Sequence, residues 1–270
     1  VVRGPELFEA PQGGGSVRDH LDMSTVDRVA AVDGVAVAEG SIATETLTLL
    51  DEDGEVVGGF GPPTIVGSWE TDQVMNPYTI VEGRAPDAPG EAVIDTAGAK
   101  NGPFELGDTL PLVTPTGREQ LTLVGITRFG NADSAGGSIF IGTTLAEAQR
   151  LAGQPGRIEM VLARAEPGVA AEELTRRVAD AGLGQVDVLT GAELADEQAS
   201  ELKEGFGFLS TALLVFAAIA LFVGWFIISN TFGILVAQRT RELALVRAIG
   251  ASRGQVLTSV LLEAVVIGVV

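Results

Sequence analysis

The sequence predicts an α+β domain, a β-α-β layer with an inserted mostly-β subdomain, followed by transmembrane α-helices. Three observations predict it. Residues 205–238 carry no charged side chain. Residues 1–204 hold 13 basic and 34 acidic side chains, a net charge of −21, whereas residues 205–270 hold four Arg and two Glu, a net charge of +2. Short β-patterned runs alternate with Gly/Pro-rich turns, and a strand–helix–strand pattern closes the acidic part.

Taken in order, Ser24 is placed to cap a short helix through about Ala31, with Val26, Val29 and Ala30 on one face. Val35–Ile42 and Glu45–Leu50 read as paired strands, and Asp51-Glu52-Asp53-Gly54 as a tight turn into Glu55–Val57. That turn is not a calcium loop, because its glycine comes fourth rather than sixth. The middle offers strands at Ala92–Asp95, Thr109–Val113, Gln120–Arg128 and Ser138–Ile141, with Pro115-Thr116-Gly117 as a hairpin turn. Thr143 or Thr144 caps a helix to about Leu151. Strand Ile158–Ala163, amphipathic helix Val169–Ala181 and strand Val186–Leu189 then form a β-α-β unit, which favours a parallel pair with a right-handed crossover.

The expected division is an α/β layer from residues 1–60 and 152–191, with 61–151 inserted, and a stalk helix at 192–204. A membrane helix at 205–229, a cytoplasmic loop or helix at 230–254 and the start of another membrane helix at 255–270 follow. Phe206 to Ile228 is apolar throughout. As a helix it is about 34 Å long, enough to cross a hydrocarbon core of about 30 Å. Arg239, Arg241, Arg247 and Arg253 follow it within fifteen residues, so the positive-inside rule puts that side in the cytoplasm and residues 1–204 outside. The second apolar run carries one charge, Glu263, which is either functional within the membrane or close enough to its inner surface to reach water or a basic neighbour. The chain begins at Val1 without Met and stops inside an apolar run, so both ends read as cut.

Composition also excludes chemistry. A domain at −21 repels phosphate, which argues against nucleic acid as a partner. There is no cysteine and one histidine, His20, which removes thiolate metal sites, most zinc sites and any Ser-His triad not centred on that residue. No P-loop occurs, and GGFGPP at 58–63 lacks the lysine and the helix one would need. Paired-carboxylate catalysis is not excluded, but with 36 acidic residues a chance pair is close to certain and carries no signal. Gly250 and Gly254 form a GxxxG in a polar setting, not the apolar one of a helix-dimer motif.

The stretch from Asn230 to Glu263 reads NTFGILVAQRTRELALVRAIGASRGQVLTSVLLE. It resembles the cytoplasmic loop of FtsX/MacB-type ABC transporter permeases, where an R-x-x-E-L/I-A/G-x-x-R-A-x-G-A-S motif precedes a membrane helix with a Glu in it. The matching residues are Arg239, Glu242, Leu243, Ala244, Arg247, Ala248, Gly250, Ala251 and Ser252, with Glu263 following. EGRAPDAPGEAVID (82–95), LGDTLPL (106–112) and LTLVGI (121–126) add a weaker likeness to the family's extracytoplasmic domain, the MacB-like periplasmic core.

The resemblance implies a multi-pass protein of the bacterial cell membrane, with this domain between a first and a second membrane helix. It implies a cytoplasmic ABC ATPase subunit that binds the ATP, a second permease copy and a surrounding bilayer. The chain itself would hold no cofactor and no catalytic site. Contact with the ATPase is expected at Arg239, Arg241, Glu242, Leu243, Val246, Arg247, Gly250, Ala251, Ser252 and Arg253, with hydrophobic anchors and arginines for orientation. The alternative for the arginines is that they set topology and meet lipid phosphates. For the whole chain, the alternatives are a membrane-anchored surface sensor or binding module, and an outer-surface enzyme.

Overall fold

The computed structural model describes residues 1–9, 16–58, 62–115 and 117–269. It divides into two compact units, Val1–Leu202 and Lys203–Val270. Its helices are α1 (Ser24–Ala30), α2 (Thr96–Asn101), α3 (Leu145–Leu151), α4 (Ala171–Asp180), α5 (Gly191–Ala248) and α6 (Arg253–Val269).

The first unit contains two main sheets, each over its own core. One has four strands in the order Asp187–Val188, Val2–Arg3, Met160–Ala165, Val35–Ser41, all neighbours antiparallel. Val29 of α1 and Leu174 and Val178 of α4 pack with Val2, Ile158 and Val161 beneath it. The strands on either side of α4 do run parallel, but they are not neighbours as the sequence pattern suggests. Val2–Arg3 lies between them, antiparallel to both. A two-residue strand has no hydrophobic period to betray it, and only its pairing on both sides marks it as sheet.

The second sheet has eight strands drawn from residues 43–143. Its spine is Thr64–Ser68, Ile139–Thr143, Glu91–Asp95 and the 13-residue strand Gly117–Phe129. Tyr78–Gly83 and Thr109–Thr114 both pair with that long strand, on different stretches of it. The sheet thus begins at Ala43, well before the boundary expected at residue 61. The chain passes from Val35–Ser41 in one sheet to Ala43–Thr44 in the other across the buried Ile42, and only Gly40 stands near the crossing, inside the first strand. The expected pairing of Val35–Ile42 with Glu45–Leu50 fails for the same reason. Val35–Ser41 pairs with Met160–Ala165, and Thr48–Leu49 pairs with Leu112–Val113.

Local signals fare better. Asp51–Gly54 is a plain hairpin turn, with the Asp51 carboxylate accepting from the Glu55 N–H at 2.8 Å and Gly54 at φ 82°. Thr144, not Thr143, caps α3 by accepting from the Glu147 N–H at 3.4 Å. The hairpin at Pro115-Thr116-Gly117 joins antiparallel strands, with Thr116 itself outside the described residues, as are Gly59–Gly61 of the GGFGPP stretch. Ser24 does not cap α1: its hydroxyl donates to Asp22 Oδ1 at 2.5 Å, and Thr25 and Val29 are buried with Val26 half-buried, while Ala30 is exposed.

The EGRAPDAPGEAVID stretch is explained by close backbone approach. A Cβ on Gly83 (φ 75°) would stand 2.3 Å from Val124 O, and one on Gly125 would stand 2.3 Å from Arg84 O. Arg84 also binds both oxygens of Glu91 and holds that carboxyl down to about 2. Gly83→Ala is expected to destabilise the outer domain by at least about 2 kcal/mol, from left-handed strain and overpacking together. A urea midpoint equal to that of wild type would show that the two strands separate freely.

α5 opens on a reciprocal cap. Thr190 Oγ1 accepts from the Glu193 N–H at 3.1 Å, and Glu193 Oε2 accepts from the Thr190 N–H at 2.8 Å. Its second turn is tied to the four-stranded sheet. Arg3 donates to both oxygens of Glu197 at 2.9 and 2.7 Å, and Arg18 lies 3.6 Å from the same carboxylate. In all, α5 comprises the 58 residues Gly191–Ala248.

Candidate functional site

Residues 230–254 were open between loop and helix in the sequence. In the structure α5 continues through Ala248, because no proline or cap interrupts Asn230–Ala248. Within it, Ser210–Ala248 contains an 18-residue window of mean hydropathy 2.6. Apolar side chains lie exposed all round this helix, among them Leu213, Phe216, Leu221, Phe222 and Trp225. Only a lipid environment or other apolar helices satisfy such a surface.

The Arg-Glu-Leu-Ala to Gly-Ala-Ser motif covers the last turns of α5, a short turn and the start of α6. The glycine and serine have a local physical account. Gly250 takes φ 111°, its N–H donates to Arg247 O at 3.1 Å, and the Ala251 N–H donates to Val246 O at 3.2 Å. These two bonds make a Schellman C-cap, which needs the left-handed glycine. Ser252 Oγ then accepts from the Gln255 N–H at 3.3 Å while Gln255 Oε1 accepts from the Ser252 N–H at 2.9 Å. That is a capping box for α6. Gly250, Ala251 and Ser252 therefore stop one helix and start the next within four residues.

The remaining expected contact residues fall into two groups. Arg239 and Leu243 line a pocket of about 220 Å³ between α5 and α6, together with Phe232, Leu235, Val236, Val260 and Glu263. Arg239 donates from Nη1 to both carboxylate oxygens of Glu263, at 2.8 and 2.7 Å. Glu263 thus has a basic neighbour, which is compatible with both readings of that residue. Arg241, Glu242, Arg247 and Arg253 are exposed as well, but unlike Arg239 they form no ion pair among the described residues. Val246 is exposed too.

Two exposed apolar residues join that free set. Ile249, in the turn, is 87% exposed and Leu245 is 64% exposed. Neither is among the contact residues expected from the sequence. The spacing Arg241, Leu245, Ile249 places the two helical members one turn apart on one stripe, with Ile249 continuing it at the tip, and that i, i+4, i+8 pattern was the signal available.

Comparison with known proteins accounts for both parts of the chain. Residues 3–181 match the family model of the MacB-like periplasmic core domain, and residues 214–270 match that of the FtsX-like permease C-terminal region. The crystal structure of the periplasmic region of MacB from Actinobacillus actinomycetemcomitans superposes with a TM-score of 0.51 at 8% identity, covering 72% of this chain and 89% of that one. At that identity the likeness is one of fold. The extracellular domain of the noncanonic ABC-type transporter YknZ, from Gram-positive bacteria, gives a TM-score of 0.47 at 13% identity, covering 70% of this chain and 98% of that one. Comparison with curated proteins gave no match. With its core domain matched over residues 3–181 and its permease region over 214–270, this chain belongs to the FtsX/MacB-type family of ABC transporter permeases.

Proposed function

We propose that this permease couples ATP hydrolysis by a cytoplasmic partner to movement of its outer domain, with the α5–α6 turn as the docking element. Residues 1–204 lie outside the membrane in this reading, and a second permease copy completes the complex. The observation that carries it is α5 itself. One unbroken helix, Gly191–Ala248, bears the Glu197 clamp, the apolar span and the arginine motif. A continuous helix passes displacement along its axis where a loop would absorb it.

Docking is assigned to Arg241, Glu242, Leu245, Val246, Arg247, Ile249 and Arg253, the exposed side chains of the tip. Leu245 and Ile249 supply apolar anchors, and the arginines steer and orient. Leu243 supports them from the α6 side, and Gly250, Ala251 and Ser252 act by shaping the turn. The cargo or signal is a separate matter, since one fold hosts many tasks.

The test is co-purification of the full-length protein from its native host in mild detergent. The wild type is expected to bring down an ATPase subunit, and Arg241→Glu/Arg247→Glu/Arg253→Glu to lose it while staying folded. A stable wild-type preparation without any ATPase favours a membrane-anchored sensor instead. An ATPase retained by the triple variant moves docking away from the arginines.

A further inference from the structure

We infer that Arg239 and Glu263 form an interhelical latch that makes the end of α5 and the start of α6 move as one lever. This deepens the coupling reading above and rests on it for its functional half.

The pair differs from the other charges of the motif in its surroundings. Arg239 is the motif arginine that is committed within the chain. Its contact with Glu263 is two-pronged, at 2.8 and 2.7 Å. It links α5 to α6, whereas the side-chain hydrogen bonds of Thr240, Ser252, Gln255 and Thr258 each stay within a single helix or its cap. Around it the groove is apolar, lined by Phe232, Leu235, Val236 and Val260.

Its position is also matched on the two helices. Arg239 precedes the end of α5 at Ala248 by nine residues, and Glu263 follows the start of α6 at Arg253 by ten. At about 1.5 Å per residue both stand about 14–15 Å from the turn. The Schellman cap and capping box fix the tip, and the ion pair fixes the hairpin a second time at a distance from it. Two fixed points make a stiff lever, whereas the turn alone leaves the helices free to splay.

Both side chains are about half-exposed beside the apolar groove, and removing either one breaks the link between the helices. Reversing both charges preserves the pair. That asymmetry gives the proposal a sharp test.

The measurement uses the full-length permease with its ATPase in lipid nanodiscs. This chain has no cysteine, so Ala237→Cys/Leu262→Cys gives a spin-labelled pair across the hairpin, with any cysteine outside these 270 residues replaced. Double electron–electron resonance on that background reads the latch. ATP hydrolysis and ATPase co-purification read coupling and docking separately.

Arg239→Glu and Glu263→Arg are each expected to broaden the distance distribution and to lower ATP turnover by about tenfold while the ATPase still co-purifies. Arg239→Glu/Glu263→Arg is expected to restore the narrow distribution and most of the turnover. Unchanged distances in the single variants overturn the latch, and so does a swap that stays broad. Broadened distances with wild-type turnover overturn its role as a lever. If the wild type binds no ATPase, the coupling reading fails by itself, and the distances still decide whether the latch exists.

Discussion

Ser200→Pro is expected to leave the ATPase bound and to abolish its coupling to the outer domain. Ser200 lies inside α5, three residues beyond Glu197 and ahead of the apolar span, on the exposed surface of the stalk. Proline there removes the backbone donor to Asp196 O and drives its ring against that carbonyl, costing about 3 kcal/mol or more of helix continuity. The kink falls between the sheet that Glu197 grips and the span that carries the arginine turn. Ser200→Ala is the control, since it loses only the hydroxyl bond to Asp196 O at 2.9 Å and keeps the helix. The readout is ATP turnover in nanodiscs beside a fluorescent reporter on the outer domain. A proline variant whose outer domain still responds to ATP as wild type does would refute axial transmission through α5.

The second large effect concerns Asp95. Its side chain is fully buried and accepts from two backbone amides, Gly98 N–H at 2.8 Å as the cap of α2 and Phe140 N–H at 3.1 Å. Burial outweighs those bonds and pushes its carboxyl up from 3.8 to about 6. The folded state therefore favours the neutral form. The stability this contributes is fully present below about pH 4 and is lost as pH rises through about 6, amounting to roughly 3 kcal/mol. Glu70 and Glu159 act in the same sense, both raised by burial. Glu91, held down to about 2, stays ionised across that window.

The isolated outer domain is thus expected to melt higher near pH 5 than near pH 7.5, and Asp95→Asn to lose much of that difference. Asparagine keeps one acceptor and turns its amide donors toward the second N–H, so below pH 4 the variant is expected to be less stable by about 1–3 kcal/mol. If the melting profiles of the two proteins run parallel from pH 4 to pH 7, Asp95 does not change protonation in the fold.

Much of the second unit was legible in residue order. A long uncharged apolar run and four arginines after it are one-dimensional features, and the bilayer that they answer to is itself a one-dimensional gradient. Caps are local too, and Thr144 could be named as a candidate from a few residues. The outer domain was harder because its decisive pairings are non-local. Nothing near Val2 or Arg3 indicates that they separate two parallel strands 26 residues apart, Val161 and Asp187 being their partners.

The amino-acid sequence by itself determined the class of molecule: an acidic α+β domain, an apolar helix and an arginine-bearing helical turn that resembles one permease family. Hydrophobicity, net charge and capping act over a few residues and are written in order along the chain. Only the tertiary structure decided which strands share a sheet, where one sheet hands over to the next at Ile42, and which motif charges are free. Arg239 and Arg241 are two residues apart and chemically identical. One is bound to Glu263 while the other faces outward, because a helix turns about 200° between them and α6 packs on one side alone.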